Sequence, residues 1–263
     1  MKIAFFGAGQ IGSALIKGML HDDKVAALDI YVKAGHSQTA ENLQKELGFT
    51  LLTDLSDLSD LTAMDLLIIA TNNSSVLPIL KSLPQTVLAK NIPIVSVAGG
   101  VTLSDMKAVL GTDYPFAHCI PNTPVQVGAG VLGISFTKNI KQEAKEFILK
   151  SLAPLGSVYE VPETDLEIVG SIAGCTPAFV AMFIESLGDA GVLHGLKREL
   201  AYELVEQMLQ GTAKLAIESK IHPAALKDGV TSPGGSTIRG VAALEANNFR
   251  HALIAAIDAT MSE

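Results

Sequence analysis

Three glycines stand at the spacing Gly-x-Gly-x-x-Gly in the segment Gly7-Ala8-Gly9-Gln10-Ile11-Gly12. The apolar run over residues 1–6 has strand length, and Ile11, Leu15, Ile16 and Met19 then recur on one helical face. In that strand–loop–helix context the first glycine permits a tight turn and the second lets a pyrophosphate approach the backbone. The third lets helix and strand pack closely. The helix N-terminus adds free N–H groups and the positive end of a dipole, both favourable to an anion. We read the segment as a dinucleotide-binding loop; glycines that serve only a structural turn are the alternative. An NAD site usually has an acidic residue at the end of the second strand, bound to the ribose 2′-hydroxyl. Here the chain reads Ile30-Tyr31-Val32-Lys33-Ala34-Gly35-His36-Ser37, and Asp29 lies at the strand's start. Lys33, His36 and Ser37 suit a 2′-phosphate instead. This favours NADP(H), with NAD(H) as a second cofactor and an incidental solvated loop as the alternative reading.

A second glycine motif, Val230-Thr231-Ser232-Pro233-Gly234-Gly235-Ser236-Thr237, leads into a helical pattern over residues 238–246. Pro-Gly-Gly before a helix frees successive N–H groups to form a concave anion site. Thr237 is expected at the helix cap, its hydroxyl available to the helix or to a ligand. A small carboxylate suits such a loop; a plain turn and helix cap is the alternative. The remaining reactive side chains are read as structural. His118-Cys119 has no second cluster to make a metal or nucleophile site, and is expected at a strand end. Cys175 suits small apolar packing, and His194 and His222 suit surface or turn positions. No metal site is expected.

These loops need a scaffold, and the rest of the chain supplies one. Strand patterns over residues 28–33, 65–70, 92–97, 114–120 and 130–135 alternate with helical patterns over 38–47, 75–83 and 140–152. Gly48 ends the first of these helices. Such alternation implies an α/β Rossmann domain, a doubly wound and mainly parallel sheet. After about residue 160 the texture changes to alanine- and leucine-rich helices over 166–187, 198–219 and 238–246. The expected organisation is a dinucleotide-binding domain over 1–160 and an all-α substrate and dimerisation domain over 161–263.

Composition narrows the partners. Apolar residues make up 48% of the 263 and charged residues 17%, below the usual quarter. That shortage implies surface hidden between subunits, so a homodimer or higher homo-oligomer is expected. A net charge of −8 argues against a nucleic-acid or anionic-membrane surface. The two cysteines form no disulfide framework or zinc spacing. The N-terminus lacks a signal-peptide layout, and residues 173–184, with Pro177 inside and Glu185 closing them, read as too short to span a bilayer. A cytoplasmic protein is expected.

Nearly end to end, the sequence resembles pyrroline-5-carboxylate reductase. The resemblance is carried by Phe6-Gly7-Ala8-Gly9-Gln10, Ala98-Gly99-Gly100-Val101-Thr102, Pro121-Asn122-Thr123-Pro124, and Ile184-Glu185-Ser186-Leu187 with Asp189-Ala190-Gly191-Val192. His222-Pro223, Leu226-Lys227-Asp228 and Ser232-Pro233-Gly234-Gly235-Ser236-Thr237-Ile238 are its most specific part. It implies NADPH-dependent reduction of 1-pyrroline-5-carboxylate, a cyclic imino acid, to L-proline by hydride transfer, and a dimer built by the C-terminal helices. It further implies that Thr237 faces the ring nitrogen while Ser232, Gly234, Gly235 and Ser236 hold the carboxylate. Cofactor contacts are implied for Ala70, Thr71, Asn72, Ala98 and Gly99. Departures occur where the family has Ala-Val-Lys-Pro and this chain Ala70-Thr71-Asn72-Asn73, and where Ser-Gly-Ser-Gly-Pro-Ala becomes Ala173-Gly174-Cys175-Thr176-Pro177-Ala178. His118 stands in place of an arginine. A non-catalytic NADP-binding paralogue and a β-hydroxyacid dehydrogenase remain as alternatives, although the latter needs a lysine that residues 173–187 lack.

Overall fold

The structure, a computed structural model, describes residues 1–21, 25–35, 38–52 and 61–261. The chain divides into two compact units, Met1–Cys175 and Thr176–Glu263.

In the first unit the elements follow as β1 (Ile3–Phe6), α1 (Gln10–His21), β2 (Ile30–Lys33), α2 (Gln38–Leu47), β3 (Thr50–Leu52), β4 (Leu66–Ile69), α3 (Asn73–Ser82) and α4 (Gln85–Leu88). Then come β5 (Ile94–Ser96), α5 (Leu103–Leu110), β6 (Phe116–Ile120), β7 (Gly130–Phe136), α6 (Gln142–Leu152), β8 (Gly156–Glu160) and α7 (Leu166–Val169). The strands form one sheet in the order β3-β2-β1-β4-β5-β6-β7-β8. All neighbours are parallel except β6 and β7. Side chains alternate across it. Ile3 and Phe5 join a core with Leu15, Ile16 and Met19 of α1 and Ile148 and Leu152 of α6. Ala4 and Phe6 join another with Val76 and Leu80 of α3 and Met106 of α5. Both faces of the sheet are therefore covered, as a parallel sheet requires.

Several boundaries differ from the sequence reading. Residues 27–29 form a 3-10 turn, so β2 starts at Ile30. The short elements β3, α4, α5 and β8 lacked periodicity long enough to read. The first unit also runs past residue 160 to Cys175. The reason is packing: a Cβ on Gly133 of β7 would lie 2.6 Å from Val169 Cγ1 and 3.4 Å from Leu166 Cδ2, so α7 lies flat on the sheet. Between α7 and the next helix, Gly170–Cys175 is a π-helical segment.

The second unit is entirely helical among the described residues: α8 (Thr176–Leu193), α9 (Arg198–Ser219), α10 (Pro223–Gly229), α11 (Ser236–Ala246) and α12 (Phe249–Met261). α8 and α9 pair closely because Gly188 and Gly191 leave room for Tyr202 and Ala201. Arg198 Nη1 donates to Asp189 Oδ1 at 2.6 Å and to Tyr202 Oη at 3.0 Å. Residues 173–184 lie within a longer helical run, Glu163–Leu193, of 31 residues; an 18-residue window in it has mean hydropathy 1.7, so by length and composition alone the run is long and apolar enough to cross a membrane. Pro177 does not end the run: it falls where the π segment gives way to α8, and the Ala173 carbonyl, whose α-helical donor a proline cannot supply, accepts from Asn122 Nδ2 at 3.0 Å.

Candidate active site

At the C-terminal edge of the parallel strands, β1 ends on Gly7, whose φ of +103° is open to glycine and strained for other residues. A Cβ there would lie 2.5 Å from the Ala70 carbonyl oxygen, and one on Gly12 2.5 Å from the Gly7 carbonyl oxygen. The first and third glycines thus serve the tight turn and the close helix. Gly9 differs, because a Cβ on it would meet nothing within 4 Å. The space above its backbone is open, as a phosphate seat requires. The Gly7 N–H donates to the Lys33 carbonyl at 2.8 Å, and the Ser13 N–H to the Gly9 carbonyl at 2.8 Å. Ala8 is buried, and the amides of Gln10, Ile11 and Gly12 fall in the first turn of α1, which has no intrahelical acceptor for them.

Register brings three more segments to this loop. Phe6 pairs with Lys33 on one side and Ile69 on the other, and Ile69 pairs with Ser96. Lys33 therefore ends the strand beside the glycine turn; His36 and Ser37 lie outside the described residues. After β4 the Ala70 N–H donates to the Phe6 carbonyl at 2.8 Å. Thr71 Oγ1 is buried with no hydrogen-bond partner, and Thr71 Cγ2 is among the atoms closest to Gly7. Asn72 caps α3, its Oδ1 accepting from the Ser75 N–H and the Ser74 hydroxyl, both at 3.2 Å. That occupies the carboxamide oxygen of a residue expected to face cofactor. Asn73, which the sequence marked only as a departure from the family's pattern, accepts from the Gly100 N–H at 3.3 Å and ties the Ala98-Gly99-Gly100 turn to α3. Open backbone at Gly9, a buried hydroxyl without a partner and a helix N-terminus together fit a dinucleotide phosphate.

β6 carries the next group. His118 lies in mid-strand and buried, not at a strand end. Its Nδ1 stands 3.6 Å from Glu163 Oε1, which accepts from the Leu103 N–H at 2.5 Å. Burial pushes the imidazole pKa down, against the pull of the Glu163 charge in the other direction. Burial likewise pushes the Cys119 thiol up to about 12, which leaves it protonated and unreactive at neutral pH. Beyond the strand, the buried Asn122 accepts from the Val131 N–H at 2.9 Å and donates to the Ala173 carbonyl at 3.0 Å. A groove of about 900 Å³ on the α5 side, lined by residues such as Lys107, Thr137 and Lys138, holds none of the expected site residues. The glycine edge, where strand ends and a helix N-terminus converge, is the chemically equipped region.

In the second unit the loop before α11 turns at Gly234, φ +68°. The Gly235 N–H donates to the Ser232 carbonyl at 3.0 Å, and Arg239 Nη1 donates to the Gly234 carbonyl at 2.7 Å. The helix cap is Gly235, and α11 begins at Ser236. The expectation that Thr237 caps the helix is corrected: the left-handed turn at Gly234 starts the helix earlier, so Thr237 is its second residue. The amides of Ser236 and Thr237 fall in the first helical turn, and Ser236 and Thr237 are exposed. His222 is a turn residue, its Nδ1 accepting from the Ala224 N–H at 3.2 Å as the cap of α10.

A doubly wound sheet with an open glycine seat at the end of β1, followed by a helical unit, is the architecture of an NAD(P)-dependent oxidoreductase of the Rossmann class. Residues 2–100 match the family model described as NADP oxidoreductase coenzyme F420-dependent, and residues 163–263 match pyrroline-5-carboxylate reductase dimerisation. The chain is 35% identical to pyrroline-5-carboxylate reductase of Treponema pallidum, covering 100% of this chain and 99% of that one. It is 32% identical to the Escherichia coli enzyme, covering 100% and 96%. The crystal structure of Plasmodium falciparum pyrroline carboxylate reductase with NADP bound superposes with a TM-score of 0.85 at 29% identity, covering 99% and 95%. The chain belongs to the pyrroline-5-carboxylate reductase family.

Proposed function

We propose that the protein reduces 1-pyrroline-5-carboxylate to L-proline with NADPH, as a cytoplasmic homodimer or larger homo-oligomer. The observation that carries this reading is the full-length match to named reductases on a chain whose glycine edge has the space and free amides for a dinucleotide. When bound, NADPH supplies the hydride, whose electron pair forms the new C–H bond and turns the protonated C=N into CH–NH. The backbone of Gly7, Ala8, Gly9, Gln10, Ile11 and Gly12 holds the pyrophosphate, and Lys33 meets the 2′-phosphate. Ala70, Thr71, Asn72, Ala98 and Gly99 flank the rest of the cofactor. The free amides of Ser236 and Thr237, in the loop shaped by Ser232, Gly234 and Gly235, hold the substrate carboxylate. The Thr237 hydroxyl accepts from the ring N–H of the protonated imine, so orientation takes the place of a strong general acid. Functionally the boundary falls near residue 160, with cofactor binding over 1–160 and substrate binding and dimerisation over 161–263. Two free cysteines suit a reducing compartment.

Steady-state NADPH oxidation with pyrroline-5-carboxylate, with proline measured as product, tests the reading. NADPH binding without turnover would mark a non-catalytic paralogue and reject it.

A further inference from the structure

Asn122 joins two parts of the first unit that no backbone ladder joins. Its Oδ1 is committed to the Val131 N–H at the start of β7, and its Nδ2 to the carbonyl of Ala173 inside the π segment. That carbonyl has a particular need. Its α-helical donor would be the N–H four residues on, and that residue is Pro177, which has none. The helix also changes register here, from π over Gly170–Cys175 to α from Thr176. Such π turns concentrate at functional positions because they re-aim the side chains and carbonyls beside them.

The π segment reaches the cofactor edge through Ile120. A Cβ on Gly170 would lie 3.3 Å from Ile120 Cγ2, and one on Gly99 3.6 Å from Ile120 Cδ1. Gly99 belongs to the turn that Asn73 ties to α3, one strand from the glycine loop. A short path of packed atoms therefore runs from the cofactor turn through Ile120 to the π segment. Asn122, buried two residues beyond Ile120, is the polar anchor at its end.

We infer that Asn122 is a positioning residue for the reduction, holding the π segment against the cofactor edge of the sheet through its hydrogen bond to the Ala173 carbonyl. The inference rests on the proposed reductase activity. The bond sets the placement of Gly174 and Cys175 without Asn122 itself touching the reacting atoms.

Asn122→Asp keeps the shape and the acceptor for Val131 but turns the donor facing Ala173 into a second acceptor. At neutral pH kcat per folded subunit should fall by about ten- to a hundredfold, the scale of a small misplacement in an active site. NADPH affinity, read by fluorescence titration, should stay at the wild-type value because the Gly7 loop is untouched. As pH falls, the protonated carboxyl regains a donor, so the deficit against wild type should shrink. A second variant separates positioning from mere satisfaction of a carbonyl. Asn122→Asp combined with Pro177→Ala gives the Ala173 carbonyl a donor within its own helix; it should recover melting temperature but not kcat. Recovery of both would overturn the inference, as would Asn122→Asp with a lowered melting temperature and wild-type kcat per folded subunit. A wild-type protein that binds NADPH without turnover would instead reject the reductase reading, a distinct outcome.

Discussion

Thr237 and Lys33 carry the tests that belong to single residues. Because Gly235 is the cap of α11 and Thr237 is the second residue of an exposed helix start, Thr237→Ala removes a hydroxyl without removing a helix cap. A hydrogen bond to a charged group is worth roughly 1.5–3 kcal/mol, or about 10- to 150-fold in rate. We expect kcat/KM for the imine to fall by that factor, with melting temperature and NADPH affinity close to wild type. A variant with wild-type kcat/KM would remove Thr237 from the reaction. Lys33 ends β2 beside the Gly7 turn, and its carbonyl accepts from the Gly7 N–H; that bond survives any side-chain change. Lys33→Asp should therefore act on cofactor choice alone, narrowing or reversing the kcat/KM ratio of NADPH to NADH. Wild-type protein with the greater affinity for NADH would contradict the assignment. Gly7, Gly9 and Gly12 were legible from spacing because each role follows from lacking a Cβ. Asn73, Asn122 and the π segment were not, since their partners Gly100, Val131 and Ala173 are set by folding.

Among the elements, β6 and α5 make the pH-sensitive contact. Glu163, which follows β8, accepts from the Leu103 N–H at the start of α5 and stands 3.6 Å from the buried His118 of β6. Glu163 and the Ala98 backbone favour the charged imidazole, but burial outweighs them. Burial lowers the folded-state pKa of His118 below its ordinary 6.5, so in the window below that value the unfolded chain binds the extra proton. Stability should be fully present above about pH 6.5 and fall as the solution is acidified. Thermal melts from pH 8 to pH 5 should show this, and His118→Gln should flatten the part of the slope due to the imidazole. An unchanged slope in the variant would assign the acid lability to other groups. At the same end of α5, the Thr102–Asp105 capping box lowers the Asp105 pKa through hydrogen bonds from Thr102. Its sequence, Thr followed three residues later by Asp, was available as a helix start. It went unread because α5 is short and lacks a marked apolar period.

For the whole molecule, the second unit sets the requirement. Its helices leave Met182, Leu193, Leu204, Ile217 and Ile254 more than half exposed, and its buried residues are few. One chain's helices do not close a core of their own, which agrees with the match of residues 163–263 to a dimerisation domain. Light scattering should give a dimer or larger assembly, and the melting temperature should rise with protein concentration. A stable monomer at micromolar concentration would refute the dimer. The same apolar surface accounts for the length and hydropathy of the Glu163–Leu193 run; a partner subunit covers such a surface without a bilayer.

The sequence alone determined whatever depends on local spacing. The glycine loop, the alternation of strands and helices, the change to helices after residue 160 and the glycine turn before α11 could all be read in order along the chain. Tertiary structure decided what depends on neighbours distant in sequence. It placed His118 in mid-strand against Glu163, made Asn72 a helix cap, tied Asn73 to Gly100 and Asn122 to Ala173, and moved the end of the first unit to Cys175. The physical reason is that a period or a glycine acts through the backbone of its own segment. A side-chain amide or a buried imidazole acquires its role only from the donor, acceptor or charge that folding brings within about 3 Å.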